Sequence, residues 1–212
     1  MDEHLTSEQI KILLEKKSLP SFKKLFALNL LNKQYDYILC IDAETKILKQ
    51  PDLKRVYEKK VVIGGICNNP SLITIIKGTL KMFKDISETK LSEISDNYNY
   101  YTWWSSMPVY KTNNIPDFLE KIGFDDLNSF IERIEYNFFE NMAYNYYCLL
   151  YQGFTKIVVP NINHSLEGQI TSIVEKYINY NIGWISLNTY NQNKDFYDKK
   201  DNVYMIYHLD RD

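Results

Sequence analysis

Two acidic residues at the end of an apolar run are the first candidates for chemistry in this sequence. The run Tyr37–Ile41 predicts a strand buried on both faces; it stops at Asp42, and Glu44 follows two positions later. Side chains at positions i and i+2 of an extended segment point to the same side, so we expect the two carboxylates to converge. Such a pair at a strand end could hold Mn²⁺ or Mg²⁺ against a substrate diphosphate. The alternative is two solvated acids at the start of a loop.

Aromatic and acidic side chains further along the chain suit contact with a sugar. Trp103 and Trp104 lie in a strand-like aromatic segment, residues 101–110, and their flat apolar faces match a sugar ring; core positions are the alternative. Glu140 opens a predicted helix with Tyr144 on the same face. A glutamate in the first turn of a helix also complements the helix dipole, which explains this position without any chemistry.

Alternating helix and strand patterns must position these residues. Helices are predicted at residues 7–17 with Ser7 as the cap, from Pro20 to the polar break at Asn32, and at 70–84, 116–122, 127–134, 138–151 and 166–177. The charged stretch up to Asn97 is expected to form a short helix or a loop. Strands are predicted at residues 37–41, 60–64, 101–110, 154–159 and 203–207. Strands that alternate with helices predict an α/β fold with a largely parallel, mixed sheet flanked by helices, in a single domain over residues 1–212.

Composition limits the class of protein. The chain has 212 residues, is 45% hydrophobic and carries a formal charge of −2, which disfavours a nucleic-acid binder that neutralises many phosphates. No run approaches the roughly 20 apolar residues of a membrane span, and the amino-terminal residues lack the pattern of a signal peptide, so we expect a cytoplasmic protein without a transmembrane segment. The cysteines Cys40, Cys67 and Cys148 are widely spaced in apolar runs and are expected to be reduced core thiols.

Several of these segments resemble one known family. Residues 22–28 and 35–44 resemble the helix and strand that lead into the acidic motif of GT-A type glycosyltransferases, of the bacterial or viral glycan-building kind, which use nucleotide sugars. That motif is usually two aspartates around one residue, and Glu44 takes the place of the second. Residues 101–110 and 114–119 resemble the acceptor side of such domains. Several GT-A families bring a histidine from near the carboxyl terminus to the metal, which is the position of His208, with His164 as a competitor.

The resemblance implies a role for each candidate residue. Mn²⁺ or Mg²⁺ would be held by three side chains, Asp42, Glu44 and His208. The donor phosphates would lie against Lys24 and the acidic pair. Glu140 would be the general base for the acceptor hydroxyl. Four aromatic residues would contact the substrate: Trp103, Trp104, Tyr110 and Tyr144.

The chain also departs from the family pattern. Only 41 residues precede Asp42 and most are predicted to be helical, so the first nucleoside-binding strands look missing. The leading hypothesis is a metal-dependent hexosyltransferase that moves a sugar from a nucleotide-sugar donor to a glycan or lipid-linked acceptor. The alternative is a non-catalytic glycosyltransferase-like remnant or interaction module. A metal-dependent phosphotransferase or nuclease would normally show more carboxylates or a glycine-rich phosphate loop.

Overall fold

The first two helical patterns of the chain form helices as predicted. In the computed structural model, which describes residues 5–102, 107–159, 183–192, 194–199 and 203–207, α1 spans Ser7–Glu15 and α2 spans Leu19–Leu31. The cap of α1 is Thr6 and not Ser7. The Thr6 hydroxyl accepts a hydrogen bond from the N–H of Gln9, and the Gln9 side chain accepts one from the N–H of Thr6. This capping box fixes where α1 begins.

Five of the later helices were predicted from their sequence patterns, whereas three were not. In the described part of the chain they are α3 (Leu53–Glu58), α4 (Pro70–Leu80), α5 (Glu88–Ile94), α6 (Ile115–Lys121), α7 (Leu127–Arg133), α8 (Glu140–Tyr151), α9 (Leu187–Gln192) and α10 (Lys194–Asp198). The three that were not predicted are α3, α9 and α10. A 3₁₀ turn, Thr112–Asn114, leads into α6. The predicted helix at residues 166–177 lies outside the described residues.

The strands form small mixed sheets and not the largely parallel sheet that we predicted. They are β1 (Tyr37–Leu39), β2 (Lys46–Ile47), β3 (Val61–Ile66), β4 (Tyr100–Tyr101), β5 (Val109–Lys111), β6 (Thr155–Val159), β7 (Gly183–Ser186) and β8 (Val203–Tyr207). Within the described residues, the sheet orders are β1-β5, β2-β8-β7 and β4-β3-β6. The β3–β6 and β7–β8 ladders are parallel, and the others are antiparallel. The α/β class is confirmed.

The main difference from the prediction lies in the aromatic segment 101–110. It does not form one strand: β4 pairs with β3, whereas β5 pairs with β1 in another sheet. Pro108 precedes β5 and has no N–H to donate to a ladder, which favours a break at this point. β1 is therefore an antiparallel partner of β5, and its side chains are only half-buried.

The core is organised around α8. Residues 140–149 of this helix are all buried, which is the pattern of a central helix. The buried face of α2, formed by Phe22, Leu25 and Leu28, packs against α1, α6 and α8. A second, smaller cluster is formed by Tyr190, Tyr197 and Ile206. Among the described residues, no helix combines the length and apolar character needed to cross a membrane.

Candidate active site

Three elements bring a lysine and two carboxylates together. Lys24 lies on α2, Asp42 follows β1, and Glu140 is the first residue of α8. Because α2 packs against α8, a side chain beside the buried face of α2 can reach the first turn of α8. The hydrogen bond from the N–H of Cys40 to the carbonyl of Pro108 extends the β1–β5 pairing and fixes the path of the chain towards Asp42.

The Lys24 ammonium lies between the two carboxylates. Its Nζ is 2.7 Å from Asp42 Oδ1 and 3.4 Å from Glu140 Oε1. The exposed fractions of the side chains are 29% for Lys24, 41% for Asp42 and 4% for Glu140. The contact with Asp42 is therefore open to water, whereas Glu140 is a buried carboxylate that would be costly to leave without a cation.

The two carboxylates keep Lys24 charged. Burial disfavours the charged form of this lysine, but Glu140 and Asp42 outweigh it and raise the pKa of Lys24 above its ordinary value. Lys24 is therefore an ammonium group at neutral pH. The formal charges of the three side chains then add up to −1, so the cluster has more negative than positive charge.

The hydroxyl of Tyr110 is buried beside this cluster. The side chain is fully buried, and burial followed by the charge of Glu140 raises the pKa of Tyr110 well above its ordinary value. Among the described residues, this hydroxyl has no hydrogen-bond partner. A buried hydroxyl without a partner is unfavourable.

Tyr144 packs against Tyr110 in the core. Their ring centroids are 4.5 Å apart, and the Tyr144 hydroxyl accepts a hydrogen bond from the N–H of Lys111 and donates one to the Tyr57 hydroxyl. Tyr110 and Tyr144 are 0% and 2% exposed. Neither ring offers a free face to a sugar in this structure, so the substrate contact that the resemblance implied for them stays a prediction. Core packing accounts for both rings.

The acidic pair lies on a turn and not on an extended segment. The N–H of Thr45 donates to the carbonyl of Asp42 at 3.1 Å, which places Ala43 and Glu44 in the middle of a turn. The alternation of side chains along a strand does not apply here, so our geometric argument for convergence of Asp42 and Glu44 was wrong. The carboxylate that shares a cation with Asp42 is that of Glu140.

Three predicted site residues, Trp103, Trp104 and His208, lie outside the described residues. Within the described ranges, no group of three or more His, Cys, Asp or Glu side chains is placed to hold a metal ion. Magnesium is commonly bound by one or two carboxylates together with water and substrate phosphates. Asp42 and Glu44 supply carboxylates of the kind that such a site uses, and a divalent ion held by them together with a substrate stays a prediction. The ion would have to share or compete with Lys24 for the Asp42 carboxylate.

Comparisons with protein-family models, with curated proteins and with solved structures gave no match. The resemblance to GT-A glycosyltransferases therefore rests on the residues quoted from the sequence alone.

One neighbour of the cluster was not predicted as a site residue. Burial, followed by the charge of Glu140, raises the pKa of the Cys40 thiol to about 11, and Lys24 opposes this shift. From the sequence, Cys40 was interpreted as an ordinary core thiol. The sequence feature that could have indicated a place near the site is the position of Cys40, two residues before Asp42 in the same predicted strand.

Proposed function

We propose that this chain is a glycosyltransferase that moves a sugar from a nucleotide-sugar donor to a hydroxyl of a glycan or lipid-linked acceptor. One observation carries the proposal. Lys24, Asp42 and Glu140 were predicted as site residues from three separate segments of the sequence, and the Lys24 ammonium lies within ion-pair distance of both carboxylates. A purely local role for each residue would not require them to meet.

Each side chain then has a chemical task. A Mn²⁺ or Mg²⁺ ion bound by Asp42 and Glu44 would neutralise the charge that develops on the leaving diphosphate. Glu140 accepts the proton of the acceptor hydroxyl. The Lys24 ammonium holds the two carboxylates close together while the site is empty of substrate. Because Glu140 is buried behind this ion pair, the acceptor hydroxyl can reach it only after the Lys24 side chain has moved aside.

The alternative is a non-catalytic protein with the same fold, and one observation favours it. Glu140, Tyr110 and Tyr144 are all nearly or fully buried, as residues with a packing role would be. The two functions differ in what the Glu140→Gln substitution does. A general base is lost on this change, whereas a packing residue keeps its shape.

The test is sugar transfer from a panel of nucleotide sugars with Mn²⁺ present. We expect Glu140→Gln to lower turnover by roughly 10²–10⁴-fold with little change in donor binding, because only the proton acceptor is removed. Asp42→Asn should weaken Mn²⁺ binding in calorimetry without loss of the fold. Matched controls are Glu132→Gln on α7 and Asp125→Asn after α6, because both carboxylates are exposed and outside the cluster. Neither control should change turnover.

Two results would remove the proposal. One is full activity of Glu140→Gln with a lower melting temperature, which would assign this residue to packing. The other is a wild-type protein that neither transfers nor hydrolyses any donor and whose melting temperature no donor raises in the presence of Mn²⁺. That second result would leave the non-catalytic alternative.

A further inference from the structure

An open cleft lies at the start of β1, whereas Asp42 follows the end of that strand. Its volume is about 930 Å³. One wall is the segment 32–37, and the neighbouring wall is formed by Leu53 and by Thr112, Asn113 and Pro116. The cleft therefore lies where α2 ends, β1 begins and the 3₁₀ turn leads into α6. It shares no lining residue with the cluster of Lys24, Asp42 and Glu140.

The walls of this cleft are held in place by the fold. The N–H and the hydroxyl of Thr112 both donate to the carbonyl of Asp36, each at 3.0 Å. These two bonds join one wall to the other. The ring of Tyr37 is fixed against Tyr57, with centroids 5.8 Å apart. The cleft is thus preformed, as ligand sites usually are.

The chemistry of the lining is polar, aromatic and neutral. Tyr35 is 59% exposed, so its side chain is available for contact with a ligand. Beside it are the side-chain amides of Gln34 and Asn113, which take no hydrogen-bond partner within the described part of the chain. The two charged lining residues, Lys33 and Asp36, have opposite signs, so the cleft has no net formal charge to attract an ion.

We infer that this cleft binds a neutral saccharide. A sugar ring has an apolar face of C–H groups and a rim of hydroxyls. The exposed Tyr35 ring matches the apolar face, and the Gln34 and Asn113 amides can donate to and accept from the hydroxyls. Because the cleft has no net formal charge, it favours a neutral saccharide over phosphates, sulfated glycans and cationic peptides. The inference stands apart from glycosyl transfer, because it uses none of the residues of the Lys24 cluster.

The experiment is titration of the full-length chain with neutral trisaccharides of glucose, galactose, mannose and N-acetylglucosamine, followed by amide chemical shifts. A sulfated trisaccharide is the charged comparison. We expect shifts in residues 32–37 and 112–116 with at least one neutral sugar. Tyr35→Ala should weaken that binding by at least about tenfold, the effect of losing one well-placed aromatic contact. Tyr136→Ala, which removes a tyrosine that is 47% exposed outside the cleft, should have no effect.

A second variant tests whether Tyr35→Ala weakens binding directly. The double substitution of Gln34 and Asn113 by alanine removes both amides from the surface and should also weaken binding about tenfold or more. Asp42→Asn should bind the saccharide as the wild type does, even if it no longer transfers a sugar. This variant therefore separates the saccharide site from the proposed transferase activity. Shifts with the sulfated sugar only, no shifts with any neutral sugar, or equal affinities of the Tyr35 and Tyr136 variants would each overturn the inference.

Discussion

Replacing Lys24 by methionine should destabilise the fold, because it leaves the Glu140 carboxylate buried without a cation. Two unit charges 3.4 Å apart attract by about 5 kcal/mol at an effective dielectric constant of about 20, and desolvation of both groups offsets most of this. Breaking a fully buried pair by removing one partner costs about 3–5 kcal/mol. Lys24 is 29% exposed and the contact is long, so we expect a loss of about 2–3 kcal/mol in the free energy of unfolding.

The assay is urea unfolding of four proteins: wild type, Lys24→Met, Glu140→Gln and the double variant. Glu140→Gln removes the buried charge itself and should cost about 1 kcal/mol. The double variant should cost about 1–2 kcal/mol, less than the sum of the two single changes, because no buried charge is left unpaired. The control is Lys23→Met, which alters an exposed lysine on the same helix and should change stability by no more than about 0.5 kcal/mol.

The stabilisation of the fold by Lys24 should decrease at high pH. Folding raises the pKa of Lys24 above 10.5, its ordinary value. The stabilisation is therefore complete below that pH and is lost as the pH rises through the folded value. The difference between wild type and Lys24→Met should be constant between about pH 7 and about pH 10, and should shrink above that range. Equal stabilities of the Lys23 and Lys24 variants, or a double variant whose cost equals the sum, would show that Lys24 and Glu140 are not paired in solution.

Two further predictions concern the neighbourhood of the site and the sheet. The rate at which iodoacetamide alkylates Cys40, measured by peptide mass spectrometry, should rise up to about pH 11, because burial and Glu140 raise the pKa of this thiol to about 11. A rate that stops rising below about pH 9 would contradict the placement of Cys40. Gly64→Ala should cost about 2–3 kcal/mol, because a Cβ there would lie 2.6 Å from a carbonyl oxygen of β4. The comparison is Gly153→Ala, where φ is +67° and a Cβ would meet no atom within 4 Å, so we expect a cost of only about 1 kcal/mol from backbone strain. Equal losses of melting temperature in the Gly64 and Gly153 variants would refute the contact at Gly64.

Local patterns in the sequence predicted the elements but not their assembly into sheets. The apolar spacing of residues 70–84 and of residues 138–151 depends on neighbours in sequence, and these helices formed within a few residues of the predicted bounds. The pairing of strands depends on contacts between distant segments. Nothing in the sequence of β5 distinguishes β1 from β3 as its partner, so the division of residues 101–110 between two sheets could not be predicted.

The candidate site was predictable in its residue types and only partly in its geometry. Lys24, Asp42 and Glu140 were chosen from a family resemblance and from positions at the ends of elements, and these three side chains meet. The turn at Ala43 and Glu44 was missed, because an acidic pair after a strand is compatible with either an extended or a turned backbone. The burial of Tyr110 and Tyr144 was missed because a sequence does not tell a core aromatic ring from an exposed one.

The charge of the cluster restricts how a donor could bind there. The three side chains sum to −1, and the Lys24 ammonium is already shared by two carboxylates, so a diphosphate that approaches this cluster meets net repulsion. Two events would reverse this: binding of the proposed divalent ion at Asp42 and Glu44, or movement of the Lys24 ammonium from Asp42 to the phosphate. In both events the contact of 2.7 Å between Lys24 and Asp42 weakens or breaks, while Glu140 keeps Lys24 as its buried partner until an acceptor replaces it. The Lys24–Asp42 contact is therefore the part of the cluster that must change first if the chain acts on a nucleotide sugar.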